Sequence, residues 1–498
     1  MKAFLFAVAA AVAPSASTAQ QVPQPAPQQE VDWRSVARSD VLAAYEIYVA
    51  NHPGMYDPRN PGFRAQLARA RDRGLAFADR ARDREGYTEA LGAFSSVLSD
   101  GHAQAYAIPA PSGTAETREW PGFVAAWRAD KLLVHYAASG FPASEGSRIV
   151  SCDNRKARDF VIHRLQNRRL RPEEAGGWWF WAPRAFYSSS SFQATRPVSC
   201  RFRIGKSERE VPLQWSPAPT DFDDRLAAAT DGERTPIGLT EPRPGLFLIG
   251  MPSFNPDAAG VEAYRALYDT LRAKRADLAR ARAVVIDLRH NNGGSSYWSA
   301  DAGKILWGET AVNRRIGDYF RNVSIWWRTS EGNVAYMAEM EAQMRGNGQI
   351  EGAESTRRTA EAMRAALGRG EAFFVKPDEE AEAARASQGS ATSDFGTPVY
   401  VITAGRCASA CLDALDLFTR FPNVRLIGAP TSGDTTYMEV RAMNLPSGRG
   451  KISIPNKIWV GRPRASGQVY TPAIPVNDLD WSTNTFLDRI EKDLAARR

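Results

Sequence analysis

The sequence is poor in several side chains that carry chemistry, since its 498 residues include only five histidines, four cysteines and ten lysines. So few histidines leave few candidates for a general base. Beyond the N-terminus, no apolar run approaches the roughly 20 residues of a membrane-spanning helix, so no integral membrane segment is expected after signal removal. The net charge of +7 comes from scattered arginines, a pattern typical of a solvated surface and not of a nucleic-acid-binding protein.

The N-terminus has the features of a secretory signal peptide over residues 1–19. Lys2 precedes an apolar run, and the small residues Ser17, Thr18 and Ala19 form a cleavage site. A Pro- and Gln-rich linker, residues 20–30, follows. We therefore expect a mature protein that is periplasmic or secreted.

Export makes the four cysteines candidates for disulfides. Cys407 and Cys411 have no Cys/His partner pair of zinc-site spacing, so no metal site is expected. One helical turn brings residues four apart within reach of a disulfide, and pairing Cys152 with Cys200 and Cys407 with Cys411 is the most economical connectivity. The alternative is that Cys407 and Cys411 stay reduced and pack a helix against a sheet.

The first candidate site is the turn around Ser409. An apolar strand, residues 399–403, precedes this turn, and a helical stretch, residues 411–418, follows it. A hydroxyl at a helix N-terminus lies among unpaired backbone N–H groups, which stabilise negative charge that develops beside it. Ser409 is thus a candidate nucleophile, and the alternative is an ordinary helix N-cap.

Three further segments accompany this turn. They are the strand and glycine loop Asp287-Leu-Arg-His-Asn-Asn-Gly-Gly294, the polar turn Asp100-Gly-His102 and the segment Gly428-Ala-Pro-Thr-Ser-Gly433. Glycine pairs let backbone N–H groups approach a ligand closely. In order and approximate spacing, the segments resemble the tail-specific or C-terminal processing peptidase family, over most of the chain from about Ser96 to Val476.

The resemblance implies a catalytic base. One branch of the family uses a lysine at the position where this chain has Asp434, so the lysine dyad is absent. The histidine-using branch, with tricorn-core-like members, takes its base from an early Asp-x-His turn, which His102 matches. A neutral imidazole accepts a serine proton at physiological pH. His290, inside the glycine loop, is the alternative base or substrate contact.

The resemblance also implies the rest of the site. The oxyanion hole would come from backbone N–H groups of the loop at Gly293 and Gly294 and from that of Ala410. Asp434 and Glu439 are both candidates to orient His102, and a surface salt bridge is the alternative role for each. No cofactor is implied. The expected partner is a peptide or protein substrate, and the oligomeric state is left open.

The expected fold class is α/β, with a crotonase-like peptidase core, a helical N-terminal module and a PDZ-like β-rich domain. The expected boundaries are 31–115 for the helical module, 116–217 for the PDZ-like domain and 218–498 for the core. Within the core, a helical insertion, residues 331–395, is expected to cap the site. Aromatic residues between 178 and 187 are expected to pack between modules, with a binding surface as the alternative.

The expected function is that of an exported serine peptidase that hydrolyses peptide bonds through a Ser–His mechanism. Two alternatives remain open because the motifs identify acyl transfer better than they identify the leaving group. One is a catalytically inactive, peptide-binding relative. The other is an esterase or another acyl hydrolase on the same fold.

Overall fold

The computed structural model of the protein describes residues 31–108, 118–167, 170–189, 196–346, 348–377 and 390–497. The predicted signal peptide, residues 1–19, and the predicted linker, residues 20–30, lie outside this described part of the chain. The described strands form four β-sheets. None of the described helices combines the length and the apolarity that crossing a bilayer requires.

Three helices form the N-terminal module and deliver the turn at His102. The elements are α1 (Trp33–Asn51), a 3-10 turn (Pro53–Met55), α2 (Phe63–Ala78), α3 (Arg84–Leu98) and strand β1 (Gln104–Ala107). Asp32 and Asp83 cap α1 and α3, because their carboxylates accept hydrogen bonds from backbone amides of the first turn. The turn that carries His102 lies directly between α3 and β1.

A β-rich region follows the helical module. Its elements are β2 (Arg118–Trp120), β3 (Phe123–Arg128), β4 (Lys131–Ala137), β5 (Arg148–Cys152), β6 (Arg155–Lys156), α4 (Ala157–Arg164), α5 (Ala175–Trp181), a 3-10 turn (Ala182–Phe186), β7 (Ser188–Ser189), β8 (Ser199–Ile204), β9 (Ser207–Pro212), β10 (Ser216–Pro217) and α6 (Phe222–Thr230). Strands β3, β4, β5, β8 and β9 form an antiparallel sheet in that order, with β6 paired to β5. The short strands β10, β2 and β7 form a second sheet.

The remaining chain alternates strands and helices. Its elements are β11 (Gly238–Arg243), β12 (Leu246–Gly250), α7 (Ala258–Ala273), α8 (Arg275–Ala279), β13 (Ala283–Asp287), α9 (Tyr297–Trp307), α10 (Glu309–Tyr319), β14 (Ser324–Arg328), α11 (Glu331–Gly346), α12 (Ile350–Gly368), β15 (Phe373–Pro377), β16 (Val399–Thr403), α13 (Ala410–Phe418), β17 (Val424–Gly428), β18 (Tyr437–Asn444), β19 (Gly450–Val460), β20 (Ile474–Pro475) and α14 (Thr483–Ala496). The predicted α/β class, with a helical N-terminal module and a β-rich region, is confirmed.

The central sheet has the strand order β11-β12-β13-β16-β17-β20, and all its pairs except β11 with β12 are parallel. Successive side chains of a strand point to opposite faces. Leu248 and Val285 accordingly pack against the β-rich region and α14, whereas Ile249 and Ile286 pack against α7, α9 and α13. Because parallel strands end at one edge, the loops after β13 and β16 meet there.

An antiparallel sheet joins the N-terminal module to the core. Its order is β1-β19-β14-β15, and β18 also pairs with β19. The core of the N-terminal module includes Leu445, Ile452 and Ile454 from this region. The helices that precede His102 are therefore packed on the core and are not a separate globule.

The expected insertion, residues 331–395, is only partly helical. It contains α11 and α12, but also β15, which pairs with β14, and residues 378–389 lie outside the described chain. Met337 and Met363 are buried between the two helices, so the methionine face serves packing. None of the described residues of the insertion lines the cavity that contains Ser409, and the capping role stays a prediction.

Both predicted disulfides are present in the structure. Cys152 and Cys200 lie opposite each other on β5 and β8, with Cα atoms 4.0 Å apart. Cys407 and Cys411 bridge the turn around Ser409, with Cα atoms 5.3 Å apart. The alternative of reduced, inert packing cysteines is therefore excluded by the structure.

Candidate active site

Ser409 occupies a strained turn between β16 and α13. Its backbone has φ 55° and ψ −128°, a positive φ that non-glycine residues rarely adopt and that costs of the order of 1–3 kcal/mol. Although it is the N-cap residue of α13, its side chain makes no capping hydrogen bond. The geometry therefore differs from that of an ordinary N-cap and leaves the hydroxyl available for chemistry.

A cavity of about 1580 Å³ contains both predicted catalytic side chains, Ser409 and His102. His102 comes from the far N-terminal part of the chain and Ser409 from the core. His102 and Ser409 lie in one cavity because the pairing of β1 with β19 fixes the N-terminal module against the core. The structure thus brings together the two residues that the sequence motifs single out.

The turn that carries His102 is held by Asp100. The backbone amide of His102 donates to Asp100 Oδ1 over 2.8 Å, and Thr435 Oγ1 donates to Asp100 Oδ2 over 2.9 Å. The ring Nδ1 of His102 lies 3.8 Å from Asp100 Oδ1, which is beyond hydrogen-bond distance, and it is buried without a partner among the described residues. Burial raises the pKa of Asp100.

The glycine loop after β13 contacts the Ser409 turn directly. Gly293 has φ 102°, and a Cβ there would lie 2.7 Å from both Ala408 O and Ser409 Cβ, so only glycine fits. The amide of Gly293 donates to Asn291 Oδ1 over 2.9 Å. This bond occupies the Gly293 amide that the sequence assigned to the oxyanion hole.

Two other amides remain open at this place. Gly294 lines the cavity, and no described residue accepts a hydrogen bond from its amide. Ala410 also lines the cavity, and as the first residue of α13 it has an amide without an intrahelical acceptor. Ala410 N lies 3.1 Å from the position of a Cβ built on Gly293, so the loop and the helix start are adjacent.

The two carboxylates expected to orient His102 have other partners in the structure. Asp434 Oδ2 accepts a hydrogen bond from the Ser409 amide over 2.6 Å and lies 3.9 Å from Arg464 Nη1. Glu439 forms a 3.1 Å ion pair with Lys457 in the cavity wall. The expectation therefore needs correction, since Asp434 holds the backbone of the serine turn and Glu439 is neutralised by a lysine on the adjacent strand β19.

Buried charges support the helix that begins at Ser409. Arg462 and Arg464, just beyond β19, form ion pairs with Asp413 and Asp416 on α13. Burial alone would raise the pKa of Asp413, but the two guanidiniums outweigh it and lower that pKa. Ser296, beside the glycine loop, donates to Asp413 over 2.7 Å, which links the loop to α13.

Arg171 and Glu174, which the sequence motifs did not single out, tie the turns of the site together. Arg171 donates to Ser99 O over 3.3 Å and to Gly433 O over 2.8 Å. Glu174 pairs with Arg171 and accepts from the Gly433 amide over 2.9 Å, and burial raises its pKa. Because these contacts join segments far apart in sequence, no local motif could have revealed them.

His290, the alternative base, lies away from the cavity. Its Nε2 is 2.9 Å from Gly232 O, a contact in which the ring nitrogen donates to the carbonyl oxygen. Burial lowers the pKa of His290, and the residue does not belong to the cavity wall. The structure therefore gives it a packing role in the loop after β13.

The aromatic segment after α4 packs against other parts of the protein and also reaches the cavity. Trp178 packs on Trp127 with ring centroids 4.7 Å apart, and Trp179 packs on Trp481 with centroids 4.8 Å apart. These contacts confirm the packing prediction. Phe180 and Trp181 instead line the cavity that contains Ser409.

Among the described residues, no group of three or more histidine, cysteine or carboxylate side chains could hold a metal ion.

A match to a known family model identifies the core as that of a serine-type peptidase. Residues 246–461 match the model of peptidase family S41, so the resemblance drawn from the motifs is confirmed for this core. No curated protein matches the chain.

Solved structures of similar fold cover nearly the whole chain. Mature CPAF has 11% sequence identity and a TM-score of 0.61, over 93% of this chain and 98% of that chain. Mature CPAF complexed with lactacystin has 12% identity and a TM-score of 0.60, over 93% of this chain and 99% of that one. At such identities the likeness establishes the fold alone.

Proposed function

We propose that the protein is an exported serine peptidase that hydrolyses peptide bonds with Ser409 as nucleophile and His102 as base. The observation that carries the proposal is the strained, uncapped Ser409 at the start of α13, in one cavity with His102. In an ordinary N-cap, the serine hydroxyl would accept a hydrogen bond from a backbone amide of the first helical turn. Here the hydroxyl is left to react.

In the proposed mechanism, Ser409 Oγ bonds to the carbonyl carbon of the scissile peptide while His102 accepts the hydroxyl proton. The carbonyl oxygen becomes an oxyanion, and the amides of Gly294 and Ala410 stabilise it. His102 then gives its proton to the leaving amine as the C–N bond breaks. Water, deprotonated by His102, hydrolyses the acyl-enzyme and regenerates Ser409.

Export is supported by the two disulfides, since such bonds persist in oxidising compartments. The signal-like residues 1–19 also indicate export.

We further propose that the β-rich region, within 116–217, is a PDZ-like peptide-binding domain. Its edge strand β9 is largely exposed and is available to pair with an extended peptide.

Labelling with a serine-reactive fluorophosphonate tests the nucleophile. The mature wild-type protein should be labelled, and Ser409→Ala should abolish both labelling and casein hydrolysis. His102→Ala should reduce both strongly while circular dichroism shows an intact fold, and His290→Ala should retain activity.

The outcomes separate the alternatives. Absence of labelling in folded wild-type protein would indicate a peptide-binding relative without chemistry. Labelling and ester hydrolysis without cleavage of any peptide would indicate an acyl hydrolase of another kind. Full activity in His102→Ala would remove His102 as the base.

A further inference from the structure

The wall of the Ser409 cavity contains an unusual pair of arginines around an aromatic ring. Arg184 lies with its guanidinium carbon 3.6 Å from the centroid of Phe180, and Arg406 lies 5.1 Å from the same centroid. All three side chains line the cavity. Arg406 is three residues before Ser409 in the chain, and the cavity that the pair lines also contains Ser409.

The pair is not neutralised by the protein. Arg406 Nη1 lies 3.3 Å from Asp231 Oδ2, and its Nε is buried without a partner among the described residues. Arg184 donates to the carbonyl oxygen of Phe180 and forms no ion pair with a described carboxylate. Arg406 therefore has Asp231 as its carboxylate partner, whereas the charge of Arg184 has no ion-pair partner among the described residues.

Several other charged side chains of the cavity wall have charged or amide partners within the protein. Glu439 pairs with Lys457, and Glu174 pairs with Arg171. Asp434 accepts from the Ser409 amide, and Asp413 is paired with arginines. The arginine pair is consequently a place in this wall where a negative charge would be stabilised.

An exposed arginine would gain little from a ligand, because water already solvates it. Arg184 is partly withdrawn from water, and burial lowers its pKa to about 10. A desolvated guanidinium forms strong, bidentate hydrogen bonds with a carboxylate. Both guanidiniums lie near the ring of Phe180, which lines the same cavity.

We propose that Arg184 and Arg406 form a carboxylate-binding subsite that selects peptide substrates with an acidic group near the scissile bond. The proposal rests on the proposed peptidase function of Ser409 and adds the class of substrate. The carboxylate comes from an Asp or Glu side chain or from the free C-terminus of the peptide. Both sources present the same planar anion to the guanidiniums.

Cleavage-site profiling tests the subsite with the mature full-length protein. A proteome-derived tryptic peptide library is digested in its native form and after chemical amidation of all its carboxylates. Native peptides should be cleaved about tenfold faster or more, as expected for a charge-assisted hydrogen bond. Arg184→Met should lower the ratio of native to amidated cleavage towards one, and Arg406→Met should lower it in the same direction.

A matched control removes one positive charge elsewhere. Arg265 on α7 forms an exposed ion pair with Glu262, so Arg265→Met should keep the wild-type ratio. The position of the acidic group separates the two sources. Asp or Glu enriched at one position relative to the scissile bond indicates a side chain, whereas cleavage at a fixed distance from the end indicates the C-terminus.

Failure of the subsite and failure of the peptidase function are separable. Retention of the same two libraries on immobilised Ser409→Ala protein measures binding without chemistry. Preferred retention of native peptides, lost in Ser409→Ala/Arg184→Met, supports the subsite even if no peptide is cleaved. Equal cleavage or equal retention of native and amidated peptides would overturn the subsite and leave the role of Ser409 intact.

Discussion

At the scale of single residues, the site shows how a strained serine backbone is held in place by its surroundings. The positive φ of Ser409 is maintained by the hydrogen bond from its amide to Asp434 and by the close approach of Gly293. In the lysine-using relatives of the resembled family, a lysine is expected where Asp434 stands. Here the same position fixes the backbone and leaves the base to His102 in our proposal.

Buried His52 makes the stability of the N-terminal module sensitive to acid. It stacks on Phe63 with centroids 4.3 Å apart, and burial lowers its pKa to about 3. Below pH about 6.5, His52 becomes protonated in the unfolded chain but stays neutral in the folded protein. The free energy of unfolding therefore decreases as the pH falls towards 3. We expect a contribution of about 1.4 kcal/mol per pH unit in this window.

Urea unfolding of the wild-type protein and of His52→Gln at several pH values between 7 and 4 measures this contribution. The variant should be less stable at pH 7, yet should lose stability less steeply as the pH falls. Parallel pH dependences of the two proteins would contradict the assignment. A variant at an exposed position, Arg280→Gln, should follow the wild-type curve.

At the scale of elements, the junction between β16 and α13 is the most constrained part of the site. A disulfide brackets Ser409, a glycine loop contacts it, and two arginines anchor the first turns of α13. Each restraint comes from a different segment. The restraints hold the Ala410 amide where the proposed oxyanion would form.

The two disulfides should separate activity from stability. By restricting the unfolded chain, a disulfide between residues four apart stabilises the folded protein by about 2 kcal/mol, and one between residues 48 apart by about 4 kcal/mol. Cys407→Ser/Cys411→Ser should therefore lower kcat for casein more than it lowers Tm. Cys152→Ser/Cys200→Ser should lower Tm more and kcat less. Equal kcat in the wild type and the first variant would show that the bridge does not position the serine turn.

At the scale of the whole molecule, the site depends on the docking of an N-terminal module onto a core far away in sequence. Asn333 at the start of α11 is a buried link in this docking. It donates to Asn51 O and Arg328 O, both over 3.1 Å, and accepts from Arg441 Nε over 3.1 Å. The insertion thus braces the N-terminal module, and its described residues do not cover the cavity.

Removal of this link should lower stability without changing catalysis. Asn333→Ala leaves several buried polar groups without partners, and we expect a loss of about 2–4 kcal/mol in the free energy of unfolding. The kcat/KM for casein at 25 °C should stay within about twofold of wild type. A changed preference for peptide length in a fully folded variant would instead revive the capping role expected from the sequence.

Local patterns in the sequence were sufficient for much of the fold. The alternation of apolar strands and helices gave the α/β class, and the spacing around Ser409 gave a strand-to-helix turn, because both depend on near neighbours in the chain. The pairing of Cys407 with Cys411 also followed from their spacing. The presence of β15 within the insertion did not, because its pairing with β14 is a long-range contact.

The sequence by itself determined which side chains could carry chemistry: one serine at a helix start and an early histidine in a chain with few histidines. Only the tertiary structure decided how they are supported. In the folded protein, Asp434 accepts a hydrogen bond from the Ser409 amide and Glu439 forms an ion pair with Lys457. His290 donates a hydrogen bond to Gly232 O. Such pairings depend on distances of a few ångströms between residues that lie 18 to 58 positions apart in the chain, and no local pattern encodes those distances.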